Sequence, residues 1–430
     1  MAAAAALAGS RGLFALVCGD AGIGKTRLAA EVAERLAADG VAVARAVCRH
    51  DGGAPPYWPW AQLLARLGCR DVLVARDAGS TDLARFALFE AVGAALRAAA
   101  PVLLVLDDLQ WADRPSLRLL DDLGAHVGGA AVLVLGTYRD TDPGAGELAG
   151  LAADRRLVLR GLAPVDLGPA LAEATGEDVA PDLVAAVHRR TGGNPFFAAE
   201  VVRLLRAEAR SGAGVHTAVP VSVRAVLDRR LDRLPPGVEP VLRAAALLDP
   251  GTTTGVDTVL LAGVAGVAPV ALPELVAPAV AAGLAVVEGG HHRLAHALVA
   301  DTLVARTPTG ERLSVHRAAA TLLGSRVDAG VVEPAVVAHQ QLAAARLSGE
   351  PGEARAAAQR CATAARTAVE RTAYEDAERW WEDALAVGAG VPDGPDRGVL
   401  LCDLGEAALA AGEPGPSRRA FTEAAALARR

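Results

Sequence analysis

LFALVCGDAGIGKT, residues 13–26, joins an apolar run to a glycine-rich turn that holds one lysine. The turn, Gly19 to Thr26, satisfies G-x-x-x-x-G-K-[ST], after a strand-like run and before a helix-like one. Glycines at Gly19, Gly22 and Gly24 let backbone N–H groups curl around phosphates, and a helix N-terminus adds positive potential there. Lys25 supplies a compact charge to the β/γ-phosphates, and Thr26 offers a hydroxyl to Mg²⁺. The plain alternative is a glycine turn that matches by chance. Composition bears on this choice. Of 43 Lys+Arg residues, Lys25 is the only lysine; Ile23 is the only isoleucine and Asn194 the only asparagine. All three types use AT-rich codons, so the bias reads as that of a GC-rich genome. A lysine that persists against such a bias belongs where a planar guanidinium fits differently.

Outward from the loop, strand-like runs at Leu13–Cys18, Val41–Val47, Val102–Leu106, Ala131–Gly136 and Arg156–Leu159 alternate with helical stretches. The helices are expected at Arg27–Ala38, Ala61–Leu67, Asp82–Ala99 and Ser116–His126. Short buried strands separated by helices read as an α/β fold, a parallel sheet covered on both faces. Residues 48–60, CRHDGGAPPYWPW, read as a packed Pro/Gly/aromatic loop.

Asp107 and Asp108 follow the third run. One carboxylate at a strand end can hold Mg²⁺ through water, and its neighbour can polarise an attacking water. Two acids opening a solvated loop is the alternative. Asp113 reads as an N-cap with Pro115 in the first helical turn, against a direct catalytic role. Arg139 is placed to sense a γ-phosphate or to pair with Asp140 or Asp142. In Gly192-Gly193-Asn194-Pro195, Asn194 reads as an N-cap with Pro195 at N1, and the rigid turn could also press on a base.

From about Leu162 the strands stop. Short helices are expected at Asp166–Ala174, Pro181–Arg190 and Pro195–Glu208, then a Gly/Ser linker at Arg210–Gly214. Helices at Val221–Leu234 and Val238–Leu248, two more ending near Gly283, and a hairpin turning at Gly289-Gly290 suggest a winged helix. His296 closes that hairpin as a lone histidine, packed or on the surface. Residues 312–430 read as alanine-rich helices. Tyr374, Ala377, Trp381 and Ala384, then Leu401, Leu404, Gly405, Gly412, Phe421 and Ala424, fall on a 34-residue tetratricopeptide template, with a Gly/Pro insert near Gly388–Pro395.

A net charge of −7 disfavours non-specific binding to a phosphate backbone. The stretch that would be the recognition element, Ala271–Gly283, carries Glu274 and no Lys or Arg, so direct DNA binding is not expected. Five cysteines without C-x-x-C spacing fit a reducing cytosol. Neither a secretory signal nor a membrane span is expected, since Val259–Val287 is broken by Glu274 and three prolines.

Together GDAGIGKTRLAAE, APPYWPWAQLL, VLLVLDDLQWADRPSL, VLGTYRDTD and RTGGNPFFAAEVVRLL, in this order, resemble the STAND-class, Orc1-like AAA+ ATPase module of MalT- and LuxR-type bacterial regulators. The resemblance spans about residues 10–345. It implies a P-loop ATPase domain over 1–160, a helical lid over 161–215, a winged helix over 216–306 and a tetratricopeptide-like sensor over 307–430. It implies ATP and Mg²⁺ as cofactors, with Gly19, Gly22, Gly24, Lys25, Thr26 and Arg27 around the nucleotide. Asp107 would hold Mg²⁺, Asp108 would assist hydrolysis and Arg139 would be the sensor arginine. Gly193 and Pro195 match a G-x-P motif that closes the lid on the adenine side, and His296 matches a winged-helix histidine that contacts phosphate in the ADP state. Relatives carry a G-R-x-x-E segment ahead of the P-loop and a C-terminal effector, so the chain is expected to be truncated at both ends. The function implied is a slow ATPase switch in the cytoplasm, with an inducer or protein partner on the helical array and an ATP-dependent oligomer. A constitutive remodelling ATPase and an interaction scaffold with a defective nucleotide site are the rival readings.

Overall fold

The computed structural model describes residues 12–48, 55–73, 81–126, 129–142, 144–210, 222–249, 255–328, 332–391 and 394–429. The expected linker Arg210–Gly214 lies outside these from residue 211 onward, as does part of the expected Gly388–Pro395 insert.

Five parallel strands form the first sheet: β1 (Leu13–Cys18), β2 (Ala42–Val47), β3 (Val102–Asp107), β4 (Val132–Tyr138) and β5 (Arg155–Val158), in the order β2-β3-β4-β1-β5. Every residue of β3 and β4 is buried, as their unbroken apolar runs require when both faces are covered. Helix α1 (Lys25–Ala38) lays Ala29, Ala33 and Leu36 on one face, against Val17, Leu103, Val105 and Leu135. The other face receives α2 (Trp58–Arg66), α3 (Thr81–Ala99) and α4 (Arg114–His126) through Trp60, Leu64, Val92, Leu96 and Leu119. Helix α5 (Ala145–Ala149) precedes the exposed edge strand β5.

Each expected strand is present. The stretch expected as a loop at residues 58–60 is instead the first turn of α2, because Pro59 sits near the helix start, where its missing N–H costs no hydrogen bond. Tyr57 ahead of it takes φ 60°, and its N–H donates to Asp113 Oδ1 at 3.1 Å. Asp113 caps α4 as the sequence suggests, accepting from the Ser116 N–H and hydroxyl, both at 2.8 Å.

Three helices follow with their own core around Leu167, Val187 and Val201: α6 (Pro164–Thr175), α7 (Pro181–Thr191) and α8 (Pro195–Arg210). Next come α9 (Val223–Leu231), α10 (Val238–Leu248), α11 (Thr258–Ala265), α12 (Leu272–Ala281) and α13 (Ala297–Arg306). The hairpin β7 (Ala285–Glu288) and β8 (His291–Leu294) pairs as expected, and a short third strand, β6 (Val256–Asp257), joins it in the order β6-β8-β7. Two residues are too few to show a periodicity, which is why β6 escapes the sequence. Helices wrapped on this small sheet form the winged helix.

The remaining helices are α14 (Thr309–Asp328), α15 (Pro334–Ser348), α16 (Pro351–Glu370), α17 (Tyr374–Val387), α18 (Arg397–Ala410) and α19 (Pro414–Leu427), each packing on the next. Tyr374, Ala377, Trp381 and Ala384 are all buried, and the Phe421 ring lies against Gly405 where a Cβ would come within 2.8 Å. The small residue of the template there accommodates the large one. Among the described residues, no helix is long and apolar enough to cross a membrane.

The array is not a separate tail. Ala365, Ala373, Trp380 and Trp381 share one apolar core with Tyr57, Trp60 and Leu120 of the sheet domain. Glu375 pairs with Arg118 at 2.8 Å and Arg85 at 3.2 Å, and the Tyr57 hydroxyl donates to the Thr372 carbonyl at 3.4 Å. Glu375 and Asp376 are both buried in this contact.

Candidate functional site

In the sheet order β4 lies between β3 and β1, so the carboxyl ends of three neighbouring strands carry the glycine loop, the paired acids and Arg139. This is where ligands sit in open α/β sheets. A cavity of about 320 Å³ opens there, lined by Lys25, Thr26, Asp107, Asp108, Arg139 and His296.

Gly22 takes φ +76°, and a Cβ on it would come within 2.7 Å of Phe196 Cβ, so only glycine serves. Lys25 Nζ donates to the carbonyls of Gly19 and Asp20, both at 2.8 Å. Burial lowers the Lys25 pKa; Asp108 opposes that effect and Arg139 reinforces it. A polyanion in the cavity would stabilise the charged form.

Asp107 accepts hydrogen bonds from the hydroxyls of Thr137 and Thr26. Its carboxyl is pushed up, first by burial and then by Asp108 beside it, with both hydroxyls opposing. Thr137 serves both acids, since its Oγ1 also accepts the Asp108 N–H at 3.1 Å. Asp108 itself takes φ 56°, a strained conformation for a residue with a side chain. Gln110 holds it: Nε2 donates to Asp108 Oδ1 at 2.9 Å, while Oε1 accepts the Arg139 N–H at 3.0 Å. Both acids are thus positioned by specific partners, unlike a solvated loop.

The Arg139 side chain is largely buried beside the cavity, with Asp142 at 3.8 Å and Asp301 of α13 at 4.0 Å. The expected pairing with Asp142 is present, but largely buried beside the cavity rather than on the surface. Asp301 ties this arginine to the winged helix.

His296 is drawn into the same cavity. Its Nδ1 accepts the Leu298 N–H at 3.1 Å and caps α13, which leaves Nε2 as the protonated nitrogen of the neutral ring. The ring stacks on Phe196, with centroids 4.0 Å apart and 21° between planes. Burial, with help from Arg139 and Lys25, pushes its pKa down to about 4.

Phe196 escapes sequence reasoning, because its value lies in two contacts far away in the chain. Asn194 and Pro195 begin α8, and the Phe197 N–H donates to Asn194 Oδ1 at 3.1 Å, the expected cap. Asn194 Nδ2 also donates to the Ala21 carbonyl at 3.0 Å, and the Phe196 N–H to the Gly22 carbonyl at 3.3 Å. The only asparagine of the chain therefore ties α8 to the phosphate loop.

Gly193 and Pro195 do not line the cavity. Gly193 takes φ +76° against the Leu162 backbone, where a Cβ would fall 2.1 Å from the carbonyl oxygen, so its work is to bring the α8 start close. Arg27 borders the cavity, but its guanidinium turns away to Glu173 of α6 at 2.8 Å in an exposed pair.

The residues present suit a magnesium nucleotide. Thr26 and Asp107 offer two hard oxygens already in contact, and Mg²⁺ takes one or two protein oxygens beside phosphates and water. The parallel sheet, the glycine loop at the start of α1 and the paired acids define a P-loop nucleoside triphosphatase fold, followed by a helical lid, a winged helix and a helical array.

Residues 1–135 match the family model described as the AAA ATPase domain. Among solved structures, the chain is similar to a signal transduction ATPase with numerous domains (STAND) that carries a tetratricopeptide repeat sensor, from Pyrococcus horikoshii. The identity is 13%, over 99% of this chain and 76% of that one, with a TM-score of 0.48. It is also similar to the RuvB Holliday junction branch migration motor of Thermotoga maritima (15% identity, 68% and 89% of the two chains, TM-score 0.30). A Walker-type ATPase of Pyrococcus abyssi gives 16% identity, 70% and 93% coverage, and a TM-score of 0.31. No curated protein sequence matches the chain.

Proposed function

We propose that this chain is an ATP-binding, slowly hydrolysing switch from a cytoplasmic bacterial regulator of the MalT and LuxR type. The observation that carries the reading is convergence. Phe196 of the lid and His296 of the winged helix stack over the cavity that Lys25, Asp107 and Asp108 line. A nucleotide there touches sheet domain, lid and winged helix together, so its phosphate state can favour one arrangement of these modules over another. Only such differential affinity can drive a switch.

In this reading Lys25 and the loop amides bind the β/γ-phosphates, while Thr26 and Asp107 hold Mg²⁺. The ion, when bound, neutralises charge on the phosphate oxygens. Asp108, fixed by Gln110 and Thr137, orients the attacking water and accepts its proton. Arg139 stabilises charge on the transferred phosphoryl group. His296 donates from Nε2 to the terminal phosphate of bound ADP, which holds the winged helix closed. The array, sharing a core with the sheet domain, receives an inducer or protein partner, and its release permits ATP-dependent oligomerisation.

The test is the nucleotide content of the purified protein, with turnover compared between wild type and Asp108→Asn. Retained ADP and slow turnover that Asp108→Asn abolishes are expected. A site that neither ADP nor ATP fills refutes the proposal, and so does rapid turnover without any inducer.

A further inference from the structure

Helix α13 brings two groups to the phosphate cavity. His296, its cap, lines the cavity, and Asp301 places Oδ2 4.0 Å from Arg139 Nη1. The helix is anchored within its own module. Val299, Ala300 and Leu303 pack in the winged-helix core, and at the far end Arg306 donates to Asp228, Asp232 and Glu239 at 3.1, 2.6 and 2.9 Å. The position of Asp301 is therefore the position of the winged helix as a whole.

Arg139 combines a fixed backbone with a loosely held side chain. Its N–H donates to Gln110 Oε1 at 3.0 Å, and the same side-chain amide holds Asp108 through Nε2. The guanidinium instead lies between two carboxylates, Asp142 at 3.8 Å and Asp301 at 4.0 Å, both beyond hydrogen-bond length. Asp142 Oδ2 is buried and accepts no hydrogen bond among the described residues. The arginine is attracted by both anions and locked to neither, so its head can turn toward the cavity while its backbone keeps Asp108 in place.

We propose that Asp301 sets the preference of the site between a nucleoside diphosphate and a triphosphate, by competing with the third phosphate for Arg139. The inference rests on the nucleotide reading above. A diphosphate leaves Arg139 beside Asp301 and the winged helix docked. A third phosphate presents the guanidinium with the same kind of acceptor oxygen and more charge, which draws it away from a carboxylate that is half exposed. The triphosphate then gives up the contact between sheet domain and winged helix that the diphosphate retains. This is the differential affinity through which a bound phosphate can report on module position. Asp142 stands on the same module as Arg139 and cannot carry that information.

The test is calorimetry on the full chain with Mg²⁺ and either ADP or a non-hydrolysable ATP analogue, for wild type, Asp301→Asn, Arg139→Ala and the double variant. Asp301→Asn should shift the preference toward the triphosphate by about two- to fivefold, the range of an exposed ion pair. In the Arg139→Ala background the same substitution should shift nothing. An unchanged preference in Asp301→Asn overturns the proposal. An equal shift without Arg139 also overturns it, because plain repulsion between Asp301 and phosphate would then suffice. Wild type that takes up neither nucleotide refutes the nucleotide reading and this inference together, whereas an unchanged preference with both bound refutes this inference alone. Hydrogen exchange of the Ala297–Arg306 amides in nucleotide-free protein gives a second readout. Each single variant should speed exchange, and the double variant no further than the faster single one. Additive effects would refute the coupling of Asp301 to Arg139.

Discussion

Replacing Asp376 with asparagine should tighten the contact between the helical array and the sheet domain at neutral pH. Asp376 is buried where α17 meets α4. Its carboxyl is raised from 3.8 to about 7, first by burial and then by Asp113, with Glu375 adding and Arg379 and Arg114 opposing. The Arg379 guanidinium is 3.9 Å away, too far for a good hydrogen bond. At about 1.4 kcal/mol per pH unit, this rise corresponds to about 4 kcal/mol of penalty on the ionised form. A carboxyl whose folded pKa is raised contributes its full stability below about 3.8, and that contribution is lost as pH rises through about 7. Asparagine keeps the shape and cannot ionise. Asp376→Asn is therefore expected to slow hydrogen exchange of the amides in Tyr374–Leu385 by about 100-fold or more at pH 8, since 1.4 kcal/mol is a factor of ten. The gain should shrink toward zero near pH 4, where wild-type Asp376 is protonated. Equal exchange in the two proteins at pH 8, or the same gain at both pH values, would refute the reasoning.

Other perturbations act at the phosphate cavity. His296, held near 4 from 6.5, contributes stability that is full above 6.5 and lost as pH falls through about 4. His296→Asn retains a capping side chain and should remove that pH dependence from the thermal midpoint, whereas wild type destabilises by about 3 kcal/mol over the same window. Gly22→Ala meets both a positive φ and the Phe196 Cβ, so ATP binding measured by calorimetry should fall by about tenfold or more, consistent with strain of about 1–3 kcal/mol. Asn194→Ala loses the α8 cap and the tie to Ala21, and should lower the thermal midpoint by the equivalent of about 1–2 kcal/mol while weakening nucleotide binding. Phe196→Ala removes the stack on His296, and bound ADP should exchange faster in a stopped-flow chase.

Local chemistry made the sheet and the phosphate loop legible. Unbroken apolar runs mark β3 and β4, and the glycine spacing with a sole lysine marks the cradle. Asp107, Asp108 and the Asp113 cap were equally readable, because each sits at the end of its own element. What stayed hidden depends on contacts distant in sequence. Thr137 bridges the two acids across neighbouring strands, Gln110 joins Asp108 to Arg139, and Phe196 gains its role only where Gly22 and His296 meet it. Codon bias pointed to Asn194, yet its bond to Ala21 spans 173 residues and no local pattern encodes it. The docking of the array through Glu375 and Asp376 was similarly silent, since acids on a helix ordinarily read as its solvated side.

The stack of Phe196 on His296 also bears on time. The two rings come from the lid and the winged helix, and both border the cavity of the phosphate loop. A diphosphate seated there would lie against both rings, so its departure would depend on how they separate as well as on its own contacts. The residence time of nucleotide would then be in part a property of the joints between modules, and a partner that tugs on the winged helix would act as an exchange factor without ever touching the nucleotide.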